Sequence, residues 1–268
     1  MIRPTDDPKV TPDHPAVPPD APAVAPREPV QRWRLVLARA AAGGDRVQRE
    51  QQAAWEAALL ASGLPVAGLD LPKPRPRFAQ AAPLAASIPG EAELVDVYLV
   101  ERVPAWRLRE ALTAVLPAGT SLVDAFDVWL GEPALPGRVV GSVYRAGFQV
   151  TVIGAGRLEG AASALLRAPS LIRERRKGEG TVAYDLRPFI AALDVERAGE
   201  TVILRMTLRH DPEKGVGRPD EVLAALGEQC GEPLAPDALV RERLELGDGP
   251  APKGKGRQAT ASPSRLRK

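Results

Sequence analysis

Three cations at every second position, Lys73, Arg75 and Arg77, alternate with Pro72, Pro74 and Pro76 and end at Phe78. Proline fixes φ and removes a backbone donor, so this stretch is stiff and holds its charges at set separations. Guanidinium groups presented in that way bind phosphate or carboxylate bidentately. The bland alternative is a stiff surface bend whose charges are solvated. A second basic group, Arg173, Arg175, Arg176 and Lys177, precedes the turn residues Gly178 and Gly180, and Tyr184-Asp185-Leu186-Arg187-Pro188 follows. Across such a hairpin Asp185 or Glu174 is expected to pair with a neighbouring arginine, leaving Arg176, Lys177 and Arg187 for RNA phosphate. The predicted substrate-binding set is therefore Lys73, Arg75, Arg77, Arg176, Lys177 and Arg187. An exposed charged hairpin face is the structural alternative.

Asp96 and Asp124 interrupt apolar strands, where burial would raise a carboxyl pKa and suit it to proton transfer. Asp96 and Asp185 are the candidates for an acting carboxylate, against the commoner fate of pointing outward or being paired. His210, beside Asp211 and Pro212, reads as turn chemistry, and Cys230 has no local base. With Cys230 the sole cysteine, the chain alone builds no disulfide framework, zinc ribbon or Cys-ligated iron–sulfur cluster. Its two histidines, His14 and His210, leave no His-based metal set. No metal or cofactor is expected. Gly154, Gly156 and Gly160 lie between a strand and a helix but have one residue too many for a dinucleotide loop, and are expected to serve a tight turn.

These residues need elements to hold them. At 268 residues, 44% apolar and 4% aromatic, the chain suits about two small domains with aliphatic cores. Its 28 prolines are concentrated enough to mark an arm over residues 1–30, expected to be disordered because it has few large apolar groups. The formal charge of +2 conceals a split: residues 1–30 carry −2 and residues 247–268 carry +5, leaving an almost neutral body. The basic tail, 247–268, is also expected to be disordered. Any RNA binding by the body must then rest on local patches rather than on a basic face. No stretch reaches the ~18 apolar residues of a spanning helix, and the expected location is the cytoplasm.

Between the tails the hydrophobic period changes in a regular order. Strand spacing over 32–39 gives way to helical spacing over 47–59, then to short apolar pieces at 66–71 and 78–84. A near-continuous apolar run follows over 93–101, then a helix opened by Pro104 and ending near Pro117 and Gly119, then a strand over 121–130. This βαββαβ order is that of a ferredoxin-like split βαβ unit. A Gly/Pro-rich linker, 131–137, precedes a related order. It comprises a strand over 139–153, a helix over 158–167 and a hairpin over 171–186. A strand over 201–209, a helix from Pro219 to Gly227 and a strand over 239–246 complete it. The predicted fold class is α+β, with two ferredoxin-like units in tandem (31–130 and 138–246), antiparallel sheets and disordered flanks.

Several of these residues, in this order, resemble the bacterial domain-of-unknown-function family of radical SAM-linked proteins. They are Gly63-Leu64-Pro65-Val66, Lys73-Pro74-Arg75-Pro76-Arg77, Pro83-Leu84, Glu91-Ala92-Glu93 and Asp96. Arg176-Lys177-Gly178, Asp185-Leu186-Arg187-Pro188 and Arg218-Pro219 continue the resemblance, which covers about 31–246. It implies a partner radical SAM enzyme, because such domains occur alone or joined to one of cobalamin type. Lacking a cysteine triplet, this chain cannot supply the radical step itself. Where the family carries Arg-Phe and Ser-His-Leu-Asp at the first helix, this chain has Asp45-Arg46-Val47-Gln48-Arg49-Glu50-Gln51. The glycine and asparagine before the Pro-Arg-Pro are replaced by Leu71-Pro72-Lys73.

The leading expectation is a non-catalytic accessory protein binding an anionic substrate, such as RNA, for that partner. One alternative is an RNA-modifying enzyme of pseudouridine-synthase-like build acting through Asp96 or Asp185. The other is a protein-interaction module with its basic tail as a tether.

Overall fold

The computed structural model describes residues 26–42, 48–177 and 180–248, without the side chains of 48–49 and 175–177. Most of the predicted arm and tail, and Asp45-Arg46-Val47 before the first helix, lie outside the described residues.

The first half runs β1 (Gln31–Arg39), α1 (Gln48–Ala61), β2 (Phe78–Gln80), β3 (Gly90–Leu99), α2 (Ala105–Thr113) and β4 (Thr120–Val128). Trp33, Leu35 and Leu37 of β1 alternate into a core with Val95, Val97 and Leu99 of β3, Trp55 and Leu59 of α1, and Leu108 and Leu112 of α2. The strands line up β2–β3–β1–β4, every neighbour antiparallel. The second half runs β5 (Val139–Gln149), α3 (Ala155–Arg167), β6 (Ile172–Lys177), β7 (Gly180–Asp185), β8 (Ile190–Ala198), β9 (Thr201–Asp211), β10 (Gly215–Val216), α4 (Pro219–Cys230) and β11 (Ala238–Leu246). Its strands line up β8–β9–β5–β11, again antiparallel. The β6–β7 ribbon is a separate two-stranded sheet. A parallel bridge from Arg241 of β11 to Gly90 of β3 joins the halves into one nine-stranded sheet. The fold class is thus α+β, with a largely antiparallel sheet and four helices among the described residues. None of those helices is long and apolar enough to cross a membrane.

Five local readings change. β8 is absent from the sequence pattern because a bulge between Ile190 and Ala192 breaks its alternation. The strand expected to reach Ile153 stops at Gln149. α4 continues through Gly227 to Cys230: the chain folds back so closely that a Cβ on Gly227 would lie 2.8 Å from the Glu232 carbonyl oxygen. The left-handed cap is Gly231, at φ 73°. Gly154 caps α3 at an ordinary φ of −75°, and a Cβ on Gly154, Gly156 or Gly160 meets nothing within 4 Å, so no tight turn demands glycine there. The joining segment 131–137 is packed rather than free. Leu135 is fully buried, and the carbonyls of Glu132 and Pro133 accept hydrogen bonds from Arg32.

Candidate functional site

The proline-spaced cations form a built loop. Ala67 donates to the Tyr98 carbonyl at 2.8 Å and Val66 bridges Leu99, which pins the chain after α1 to the end of β3. Arg75 N–H reaches the Gly68 carbonyl at 2.9 Å and Arg77 N–H the Ala67 carbonyl at 2.8 Å, closing the loop on itself. The closure depends on Gly68, whose φ is +87° and whose Cβ, if present, would lie 2.3 Å from the Arg75 carbonyl oxygen. Lys73, Arg75 and Arg77 are all exposed. The Arg77 guanidinium sits over the Tyr98 ring at 4.7 Å from its centroid. Lys73 and Arg75 side chains make no hydrogen bond or ion pair with the described residues.

The remaining predicted residues lie elsewhere. Arg187 stands in the second half, where its guanidinium donates to the Leu166 carbonyl at the end of α3 (2.7 and 3.2 Å) and to the Ile190 carbonyl (2.9 Å). Arg176 and Lys177 belong to β6, and their side chains lie outside what is described. Among the described residues Asp185 forms no hairpin pair with an arginine side chain. Its Oδ1 accepts the backbone N–H of Leu171 (2.7 Å) and of Arg187 (3.0 Å), and these bonds hold its carboxyl below the usual range. Arg173 instead pairs with Glu228 of α4 at 2.6 Å.

Asp96 is wholly buried between two arginines of β1, themselves 1% and 3% exposed. Its Oδ1 accepts Arg34 Nε (2.8 Å), while its Oδ2 accepts Arg32 Nε (2.7 Å) and Arg34 Nη2 (3.0 Å). Both oxygens are therefore occupied. Asp124, by contrast, is exposed and pairs with Arg109 of α2. His210 does more than sit in a turn: its Nε2 lies 2.9 Å from Oγ of the fully buried Ser142. Burial, with the nearby charge of Arg241, pushes its pKa down to about 4. The turn chemistry belongs to Asp211, which accepts the N–H groups of Glu213 and Lys214 at 2.9 Å each.

The sequence pattern did not single out Arg39, Glu93 and Arg241 as a unit, because they are far apart in the chain. Arg241 is fully buried and donates from Nε to Glu93 Oε1 at 2.8 Å, with Nη2 bonded to Glu93 Oε2. It also reaches the carbonyls of Pro83 (3.0 Å) and Ala82 (3.1 Å), so one residue of β11 ties the second half to β3 and to the segment before it. Beside this pair lies a cavity of about 380 Å³ between the sheet and the start of α1. Leu37, Arg39, Gln80 and Glu93 line it from the sheet, and Gln51 and Trp55 from α1. The only signal in the sequence was charge on otherwise apolar strands.

Among solved structures the chain is similar to one chain of a Cbf5-Nop10-Gar1 complex, at 10% identity and a TM-score of 0.41, over 78% of this chain and 49% of that one. It thus spans about half the length of that chain. It is also similar to an unknown protein from Galdieria sulphuraria, at 18% identity and a TM-score of 0.22, over 81% of this chain and 98% of that one. No curated protein matches. The family model described as "Uncharacterized protein conserved in bacteria (DUF2344)" matches residues 48–217, well over half of the sequence, and the chain belongs to that family.

Proposed function

We propose that the protein is a non-catalytic accessory protein that binds an anionic substrate, RNA phosphate in the first instance, through Lys73, Arg75 and Arg77. The single observation supporting this reading is the loop itself. Backbone bonds at Gly68 and Ala67 fix it, yet Lys73 and Arg75 have no anionic partner among the described residues. Cations ordered without a counter-charge are prepaid for binding, because little backbone entropy remains to be lost. Arg187 joins this reading as a support of the second half, since its donors already serve backbone carbonyls. The accessory role is favoured over an RNA-modifying enzyme by the two carboxylates that enzyme would use. Asp96 is sealed between guanidinium groups and Asp185 caps a loop. The partner, a radical SAM enzyme in the cytoplasm, is proposed on the sequence resemblance. We also read the two halves as tandem ferredoxin-like units, a reading supported by their common strand succession of second, third, first and fourth.

Fluorescence anisotropy with a single-stranded RNA oligonucleotide tests the site. The Lys73→Ala/Arg75→Ala protein is expected to bind at least tenfold more weakly, with a salt slope shallower by roughly 1.4 for two lost phosphate contacts. Unchanged affinity overturns the assignment. Co-purification from the source cell after nuclease treatment tests the partner, and recovery without any radical SAM enzyme would remove that part of the proposal.

A further inference from the structure

The cavity at the start of α1 has the properties of a small-molecule site, independent of the basic loop. Its volume of about 380 Å³ falls in the ~300–1,000 Å³ range of ligand pockets. Most of its wall is apolar: Leu37, Leu84 and Val95 come from the sheet side and Trp55 from α1. Arg39, Gln80 and Glu93 are its polar groups on the sheet side, while Glu50 and Gln51 of α1 and Thr120 of β4 add others. Lys73, Arg75, Arg77 and Arg187 are not among its lining residues.

The charges on that side decide what would bind. Among the described residues Arg39 and Arg241 face a single carboxylate, Glu93, and Glu93 is already bonded through both oxygens to Arg241. Arg39 is held instead by neutral acceptors, the carbonyls of Leu84, Ala85 and Ile88. Its Nε is buried and has no hydrogen-bond partner among the described residues. A half-buried guanidinium with one donor unmet is an exception to the rule that buried polar groups are satisfied, and it marks where an acceptor is missing. Two cations sharing one anion also leave a surplus positive charge in a weakly screened place. Glu50, at the α1 rim, is exposed to solvent and offsets this surplus little.

From this geometry we infer that the cavity binds a small organic carboxylate, its carboxylate accepting from Arg39 and its apolar body lying against Leu37 and Trp55. Burial weakens the Arg39 guanidinium's hold on its proton, and a bound carboxylate reverses that cost. The assignment does not depend on the loop: a failure of RNA binding leaves it untouched, and the converse also holds.

Phenylacetate and hexanoate are suitable probes, with phenylacetamide and hexanamide as their uncharged counterparts. Binding is read by calorimetry and by the shift of the Trp55 indole N–H in ¹H–¹⁵N spectra. At least one acid is expected to bind saturably and at least tenfold more tightly than its amide, while moving the Trp55 signal. In Arg39→Gln that preference should disappear. Ala54→Phe, which fills the cavity from α1, should abolish binding of both forms while leaving the unfolding transition and RNA affinity unchanged. Equal binding of acid and amide overturns the carboxylate assignment. Retained Trp55 shifts in Ala54→Phe overturn the location, as does the absence of saturable binding by either acid at millimolar concentration. If Arg39→Gln does not fold, the wild-type comparison and Ala54→Phe still decide the matter.

Discussion

At the scale of single residues, buried charge in this protein is committed to structure. Asp96 is hydrogen-bonded to both Arg32 and Arg34, and the remaining Arg32 donors go to the carbonyls of Glu132 and Pro133. Removing one partner of a buried ionic cluster leaves the others desolvated and unpaired, which costs more than the pair contributes. Asp96→Asn is therefore expected to lose about 3–5 kcal/mol in urea unfolding. A catalytic aspartate with little structural role would lose far less. His210 gives a pH signature. Its folded-state pKa of about 4 lies below the unfolded 6.5, so the unfolded chain binds the extra proton more readily between those values. Its contribution to stability is full above pH 6.5 and is lost as the pH falls through about 4. It amounts to at most about 3 kcal/mol before solvent screening. His210→Gln should flatten that part of the stability–pH curve, and curves of equal slope for the two proteins would refute the assignment.

At the scale of elements, the basic loop depends on one backbone position. Gly68 has a left-handed φ and an approach to Arg75 that no side chain permits. Gly68→Ala is expected to lower stability by about 1–3 kcal/mol and to weaken RNA binding through Lys73 and Arg75, although neither cation is altered. Circular dichroism should show the secondary structure intact, and thermal unfolding measures the loss. Most elements were legible in the sequence. The alternation of Trp33, Leu35 and Leu37, and that of Val202, Leu204, Met206 and Leu208, marks strands because each of these residues reaches a core. Pro219 with Asp220 and Glu221 marks the start of α4. β8 was not legible, because its bulge shifts the period and it opens with Ile190 followed by Ala191-Ala192, two alanines with little β preference. Gly227 misled for a related reason: a helix-ending residue type was serving a close approach inside the helix.

At the scale of the whole molecule, the two halves are joined where β11 meets β3. A single parallel bridge is a small backbone contact, and the Arg241–Glu93 pair adds a buried ionic lock to it. Arg241→Met is expected to cost about 3–5 kcal/mol in urea unfolding by leaving Glu93 unpaired, and Arg241→Met/Glu93→Leu to recover part of that loss. Additive losses would show that the two side chains act separately. The same junction places Arg39, from β1, beside a pair drawn from β3 and β11, and so shapes the cavity. The amino-acid sequence by itself determined the α+β class, most element positions and the stiff basic loop, because period, proline spacing and capping act over a few residues. Only the tertiary structure decided that Asp96 is sealed, that Arg187 serves carbonyls and that Arg39, Glu93 and Arg241 meet. Those outcomes depend on strand order and register between segments up to about 200 residues apart, which no local pattern encodes.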